Sequence, residues 1–304
     1  MIKLVLAITF FLGFSAQATF VPQNEIKYGQ LKDGPSNITE TEFKQLIAEL
    51  QKVYAPVVSA AGGKLSIAGQ WKDETANAAA KQMFGTWQVQ ITGGLARRPE
   101  LSPDAFTLVV CHELGHHLAG FPFAAAAPIP IPISSPLLEV WAANEGQADY
   151  FSVHSCSKKM WGAQLEKNAE FRTKVSAVAQ KRCDAAYDAT EERDLCYRVT
   201  VASESVSATM SALKQVPLAH FDTPNTNVVT KTDDAHPETQ CRMDTLFQSA
   251  LCKAVFNEKI IPGKKISAGA NSIEAEKESA LYTCTNSGGY QEGLRPTCWF
   301  KARM

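Results

Sequence analysis

The stretch Val109-Val110-Cys111-His112-Glu113-Leu114-Gly115-His116-His117-Leu118-Ala119-Gly120 constrains the fold of this chain more than any other. An α-helix turns about 100° per residue, so His112 and His116, four apart, lie about 40° apart on one face. His117 lies about 140° from His112 and is expected to pack or hydrogen-bond beside the pair. The pair therefore requires a helix here. Apolar Val109, Val110, Leu114 and Leu118 require that helix to be buried, and Gly115 is expected to leave room beside a metal. Glu113 stands where the HExxH pattern places a general base, a carboxylate that takes a proton from metal-bound water.

Two histidines leave a tetrahedral Zn2+ site incomplete. A histidine six residues after His116 would complete one class of site, but that position is Pro122. A glutamate on a later helix is the alternative, and Ala143-Asn144-Glu145-Gly146-Gln147-Ala148-Asp149-Tyr150 supplies one. Glu145 and Asp149 are four apart and share a helical face. Glu145 is expected to be the third ligand to one zinc per chain. Asp149 is expected to accept a hydrogen bond from the outer ring nitrogen of a ligand histidine. Glu139 competes for the third position but lacks an acid four residues on.

The first residues bear on compartment. Lys3, the apolar run Leu4 to Phe14 and Ala16-Gln17-Ala18 read as a signal peptide over 1–18, cut after Ala18. The expected mature chain of 304 − 18 = 286 residues is periplasmic or secreted. It carries 29 basic against 31 acidic side chains once Lys3 is gone, a net charge of −2. That balance gives no reason to expect a nucleic acid or an anionic membrane as partner. No later apolar run is long enough to span a bilayer.

Eight cysteines in an exported chain point to disulfides. Nearest-neighbour pairing gives Cys183–Cys196, Cys241–Cys252 and Cys284–Cys298, and leaves Cys111–Cys156 by elimination. Cys156 lies eleven residues after Glu145, within about 20° of its direction on an ideal helix. A bridge to Cys111 would pin two metal-bearing helices together. The alternative is that either thiol is a small buried core residue.

Along the chain, 19–38 reads as an extended lead-in. Thr39-Glu40-Thr41-Glu42 is a capping box that opens a helix over 40–54. Residues 64–67 and 87–91 alternate as strands, and Gly93-Gly94 ends the second. Ser102 and Pro103 open the motif helix, which ends at Gly120. The prolines of 121–136 predict an extended excursion, either a surface loop or a cleft flap. Further helix is expected over 137–157, 158–182 and 197–214. Residues 19–261 form one expected domain, and 262–304 a loop-rich tail stapled by a disulfide.

His112-Glu113-Leu114-Gly115-His116 followed by Glu145-Gly146-Gln147-Ala148-Asp149 resembles the HExxH…ExxAD pattern of peptidase family M forty-eight, gluzincins of the HtpX and CAAX prenyl protease type. Asn77-Ala78-Ala79-Ala80, Ile91-Thr92-Gly93-Gly94-Leu95, Ser102-Pro103-Asp104-Ala105 and His236-Pro237 with Arg242 resemble other blocks of that family. The resemblance spans about 40 to 250. It implies an α+β, mainly helical zincin-like fold with a small sheet beside the HExxH helix. It implies a substrate lying along an edge strand, here Trp87, Val89 and Ile91, by strand addition. It also implies that His236 stabilises the oxyanion. Asp233-Asp234 are expected to hold that imidazole charged, and Arg242 to form an ion pair near the site. The membrane helices of many family members have no counterpart after the signal, and the cysteines and the proline-rich excursion lie outside the shared pattern.

The first reading is thus an exported zinc endopeptidase, with protein or peptide substrates, unfolded ones included. The alternative is a periplasmic chaperone or assembly factor that uses the same fold mainly for binding.

Overall fold

Helix α1, Glu40–Ala60, starts where the capping box places it: Thr39 accepts from Glu42 N, and the Glu42 carboxylate accepts from Thr39 N. It runs past the expected end at Tyr54 and carries Pro56 inside it. The structure is a computed structural model that describes residues 18–30, 34–124, 140–268 and 270–303. Residues 1–17 of the expected signal peptide, Glu139 and most of the proline-rich excursion lie outside the described residues.

Four strands form one mixed sheet: β1 Ala18–Thr19, β2 Lys64–Gln70, β3 Ala78–Met83 and β4 Thr86–Thr92, in the order β1-β3-β4-β2. β4 pairs parallel with β2 and antiparallel with β3, and β1 pairs antiparallel with the outer side of β3. This corrects the expectation that Trp87 to Ile91 is an edge strand open to substrate. Both sides of β4 are hydrogen-bonded, and the side chains of Trp87, Val89 and Ile91 are buried. The strand that displaces it from the edge is β3. Its sequence, Ala-Ala-Ala-Lys-Gln-Met, has neither alternation nor β-branched residues to announce it.

After a short turn of helix, α2 Gly93–Ala96, comes α3, Pro103–Leu118, buried on every side from Ala105 onward. It packs against α1, β3, α4 (Glu145–Phe151) and α8 (Thr190–Lys214). α4 continues through a π-helical turn, Ser152–Ser157, into α5, Lys158–Trp161. Of the expected helix over 137–157, residues 137–139 lie outside the described residues, 140–144 are not helical, and α4 starts at Glu145, because Asn144 is an extended N-cap whose side chain accepts from Gln147 N. The expected helix over 158–182 is broken into α5, α6 (Leu165–Ala169) and α7 (Ala177–Ala186), the last capped by Ser176. α9, Thr239–Ala250, and α10, Ile273–Ala280, complete the helices, so the class is α+β. Among the described residues no helix is long and apolar enough to cross a membrane.

The disulfides are Cys111–Cys156, Cys183–Cys196, Cys241–Cys298 and Cys252–Cys284. Nearest-neighbour pairing fails for the last four cysteines. Cys241 and Cys252 lie at opposite ends of α9, and eleven residues of helix separate their Cα atoms by about 16 Å, far beyond bridging range. Four disulfides suit an oxidising, extracellular compartment.

A candidate metal centre

Three elements deliver the site. α3 carries His112, Glu113 and His116; α4 carries Glu145 and Asp149; α9 and the loop before it carry Arg242 and His236. Ser102 fixes the start of α3 by accepting from Ala105 N, with Pro103 next in the helix. Asn144 fixes the start of α4 and also donates from Nδ2 to Asp233 O at 3.0 Å, tying the His236 loop to the ligand helix. α3 and α4 approach closely at Gly115, where a Cβ would lie 2.9 Å from Ala148 Cα. The room that Gly115 leaves is taken by the α4 backbone, not by the metal.

His112 Nε2 lies 3.2 Å from His116 Nε2 and 3.3 Å from Glu145 Oε2, and His116 Nε2 lies 3.6 Å from Glu145 Oε1. The outer ring nitrogens define what these atoms offer. His116 Nδ1 is 2.8 Å from Ala143 O, which only accepts, so Nδ1 carries the proton and Nε2 is a bare lone pair when the ring is neutral. His112 Nδ1 is 2.8 Å from Asp149 Oδ1, which favours the same tautomer. With both rings neutral, two lone pairs and a carboxylate face one another. An ion held tetrahedrally by bonds of about 2.0–2.1 Å sets its ligand atoms about 3.3 Å apart, close to the spacing found here. Both oxygens of Glu113 and Oε2 of Glu145 are buried without a hydrogen-bond partner among the described residues. Such groups are costly to bury unless a cation compensates them. His112, His116 and Glu145 form a buried cluster that could hold a metal ion.

The charges are arranged around that point. Burial works against the Glu145 carboxylate, but His116 and His112 pull its pKa well below the usual range. Burial also opposes the His112 cation, yet Asp149 and Glu145 outweigh it and raise the pKa to about 9. Burial pushes Glu113 up to about 8, against the pull of His112. Asp149 is gripped from the other side by Arg242, whose Nε and Nη2 donate to its two oxygens at 2.7 and 2.8 Å.

His236 Nε2 lies 3.5 Å from Glu145 Oε1 and donates to Thr19 O at 2.7 Å. The aspartates before it do not hold it charged. Asp233 Oδ1 accepts from Ala235 N within its own turn, and burial lowers the His236 pKa. His117 stays out of the cluster: Nε2 donates to Gln88 O, Nδ1 meets Gln82, and the ring stacks between Trp87 and Trp141. The third-ligand competitor, Glu139, lies outside the described residues.

Sequence reasoning missed Asn144, although an Asn directly before an acidic first helical turn is a readable N-cap signal. It also missed Phe20, whose ring meets that of His112 edge-on at 5.7 Å, and nothing local announces that contact. No protein-family model, no curated protein and no solved structure matches the chain.

Proposed function

We propose that the chain is a zinc-dependent endopeptidase of the gluzincin kind, with His112, His116 and Glu145 as ligands and Glu113 as general base. The observation that carries the reading is the convergence of two imidazole Nε2 atoms and one carboxylate at tetrahedral spacing, with a partnerless carboxylate next to them in the chain. Zinc suits a site of two imidazoles and one carboxylate, and when bound it brings the pKa of a water ligand toward neutrality. Glu113 then has one task, to take that proton and pass it to the leaving nitrogen. Burial raises its pKa, so this carboxylate binds a proton more strongly than an exposed one. Asp149, clamped by Arg242, holds His112 in its metal-facing tautomer. His236 supplies a donor at the rim: it already donates to a peptide carbonyl, that of Thr19, which is the act required at an oxyanion. The order of these residues along the chain, and the proximity of His236 and Arg242 to the cluster, support membership of the M forty-eight type.

Zinc content and hydrolysis of an unfolded protein test the proposal together. One zinc per chain is expected. Glu113→Gln is expected to keep the zinc and lower kcat by about 10²- to 10⁴-fold, since the amide cannot accept the proton. Hydrolysis within a few-fold of wild type in that variant sinks the mechanism. A chain without zinc when Glu145 is intact sinks the ligand assignment.

A further inference from the structure

The outer edge of β3 is the sheet edge beside the metal cluster, and it is already filled. β1 lies antiparallel along it, with Ala18 opposite Ala80 and Thr19 opposite Ala79. The main-chain hydrogen bonds that follow go to the β3 edge and to His236 and Arg242. Phe20 N donates to Ala78 O at 3.1 Å, and Val21 N and O engage the Asn77 side-chain amide at 3.3 and 3.2 Å. Thr19 O accepts from His236, and Phe20 O accepts from Arg242. The Phe20 side chain is wholly buried, its ring edge-on to His112 and beneath the Arg242 guanidinium, 4.9 Å away.

This is how an extended peptide is held: main-chain bonds to a strand edge, with the Phe20 and Val21 side chains buried. The main-chain contacts are indifferent to side-chain identity, so another extended segment with apolar residues at the Phe20 and Val21 positions satisfies the same donors and acceptors. The segment also sits where a substrate would need to lie. His236, which takes the Thr19 carbonyl, is 3.5 Å from the ligand carboxylate of Glu145.

Pro22 has no N–H to continue the pairing, and residues 22–23 are exposed. Further on, Tyr28 N donates to Glu74 O and Ala76 N donates to Ile26 O, so the arm is tethered downstream. A tethered arm competes at an effective concentration of order mM.

We infer that residues 19–21 are an intramolecular occupant of the substrate strand position, which keeps the site closed to extended peptides until the arm peels away. The inference rests on the peptidase reading for what the position is for. The cut expected after Ala18 would make Thr19–Val21 a free terminus, able to leave without breaking the sheet behind it.

The test uses zinc-loaded chains carrying Glu113→Gln and a fluorescein-labelled peptide Thr-Phe-Val-Pro-Gln-Asn, the sequence of residues 19–24. Fluorescence anisotropy is read on three forms: one starting at Thr19, one starting at Pro22, and the Thr19 form with Phe20→Asp. The form from Pro22 and the Phe20→Asp form are expected to bind the peptide at least ten-fold more tightly than the Thr19 form. With Glu113 restored, the same two forms are expected to show at least ten-fold higher kcat/KM on an unrelated peptide. Equal binding by all three forms, or none by the shortened form, overturns the inference. So does loss of the fold in both altered forms, read by circular dichroism, because the segment is then a structural strand. Tight peptide binding by the shortened form without hydrolysis leaves the occupant in place and overturns the endopeptidase reading instead.

Discussion

His154 lies on the π-helical turn five residues past Asp149, fully enclosed, with Nε2 donating to Ala254 O at 2.7 Å. Burial, and after it the Lys158 charge, lowers its pKa from 6.5 to about 3, so the folded protein holds the ring neutral. Above pH 6.5 folded and unfolded forms both leave it neutral. Below 6.5 only the unfolded chain takes the proton, and stability falls as pH drops toward 3 by up to about 1.4 kcal/mol per unit. Between pH 7.5 and 5 this residue is expected to cost about 2 kcal/mol. His154→Gln keeps a donor for Ala254 O and removes the titration. Urea unfolding at the two pH values is expected to show the variant losing about 2 kcal/mol less than wild type; equal losses reject the assignment. At this scale the metal ligands were legible because their pattern is local: i, i+4 spacing and chemical type are enough. The contacts of Phe20 and Thr19 were not, because His236 meets Thr19 across a sequence separation of 217.

The elements that could be read were those with a physical signal inside their own span. α1 has its capping box and apolar stripe, α3 its Ser-Pro start, β4 its alternation of buried residues. β3 could not be read, because three alanines followed by Lys-Gln-Met become a strand only through their neighbours on both sides. That omission moved the predicted sheet edge by one strand. The Cys111–Cys156 bridge was reached by elimination, two of whose other pairs fail, with helical geometry in support, and it joins α3 to the π-helical turn that follows α4. It closes a loop of 45 residues, which in the chain-entropy treatment stabilises the fold by about 4 kcal/mol. Replacing both cysteines by alanine is expected to lower the unfolding free energy by roughly that amount and to weaken zinc retention against a chelator, since the ligand helices lose their clamp. A loss below about 1 kcal/mol with unchanged zinc retention would show that packing at Gly115 alone holds the helices.

On the scale of the whole molecule, the residues from 262 onward reach the metal centre from behind. The Trp299 ring lies against Gly146 in the first turn of α4, where a Cβ would come within 2.3 Å of it. Arg295 Nε donates to Gln147 Oε1 at 2.7 Å, one residue further along the same helix. Asp233 N donates to Trp299 O and Val229 N to Thr297 O, so the turn at 297–299 carries the loop that presents His236. Cys241–Cys298 and Cys252–Cys284 then fasten this region to both ends of α9, which carries Arg242. Gly, Ser and Pro content alone made the segment read as a tail, because its order comes from disulfides and from one buried tryptophan and not from periodicity. Trp299→Ala is expected to cost about 3–5 kcal/mol, as for other fully buried aromatics. It is also expected to lower zinc affinity, because both α4 and the His236 loop lose their backing. Leu281→Ala, at a position 70% exposed in the same region, is the control and is expected to cost less than about 0.5 kcal/mol. Denaturant unfolding and zinc competition with a chelator measure both effects. A Trp299→Ala chain with native stability and native zinc affinity would detach this region from the metal centre and leave α3, α4 and α9 to hold it alone.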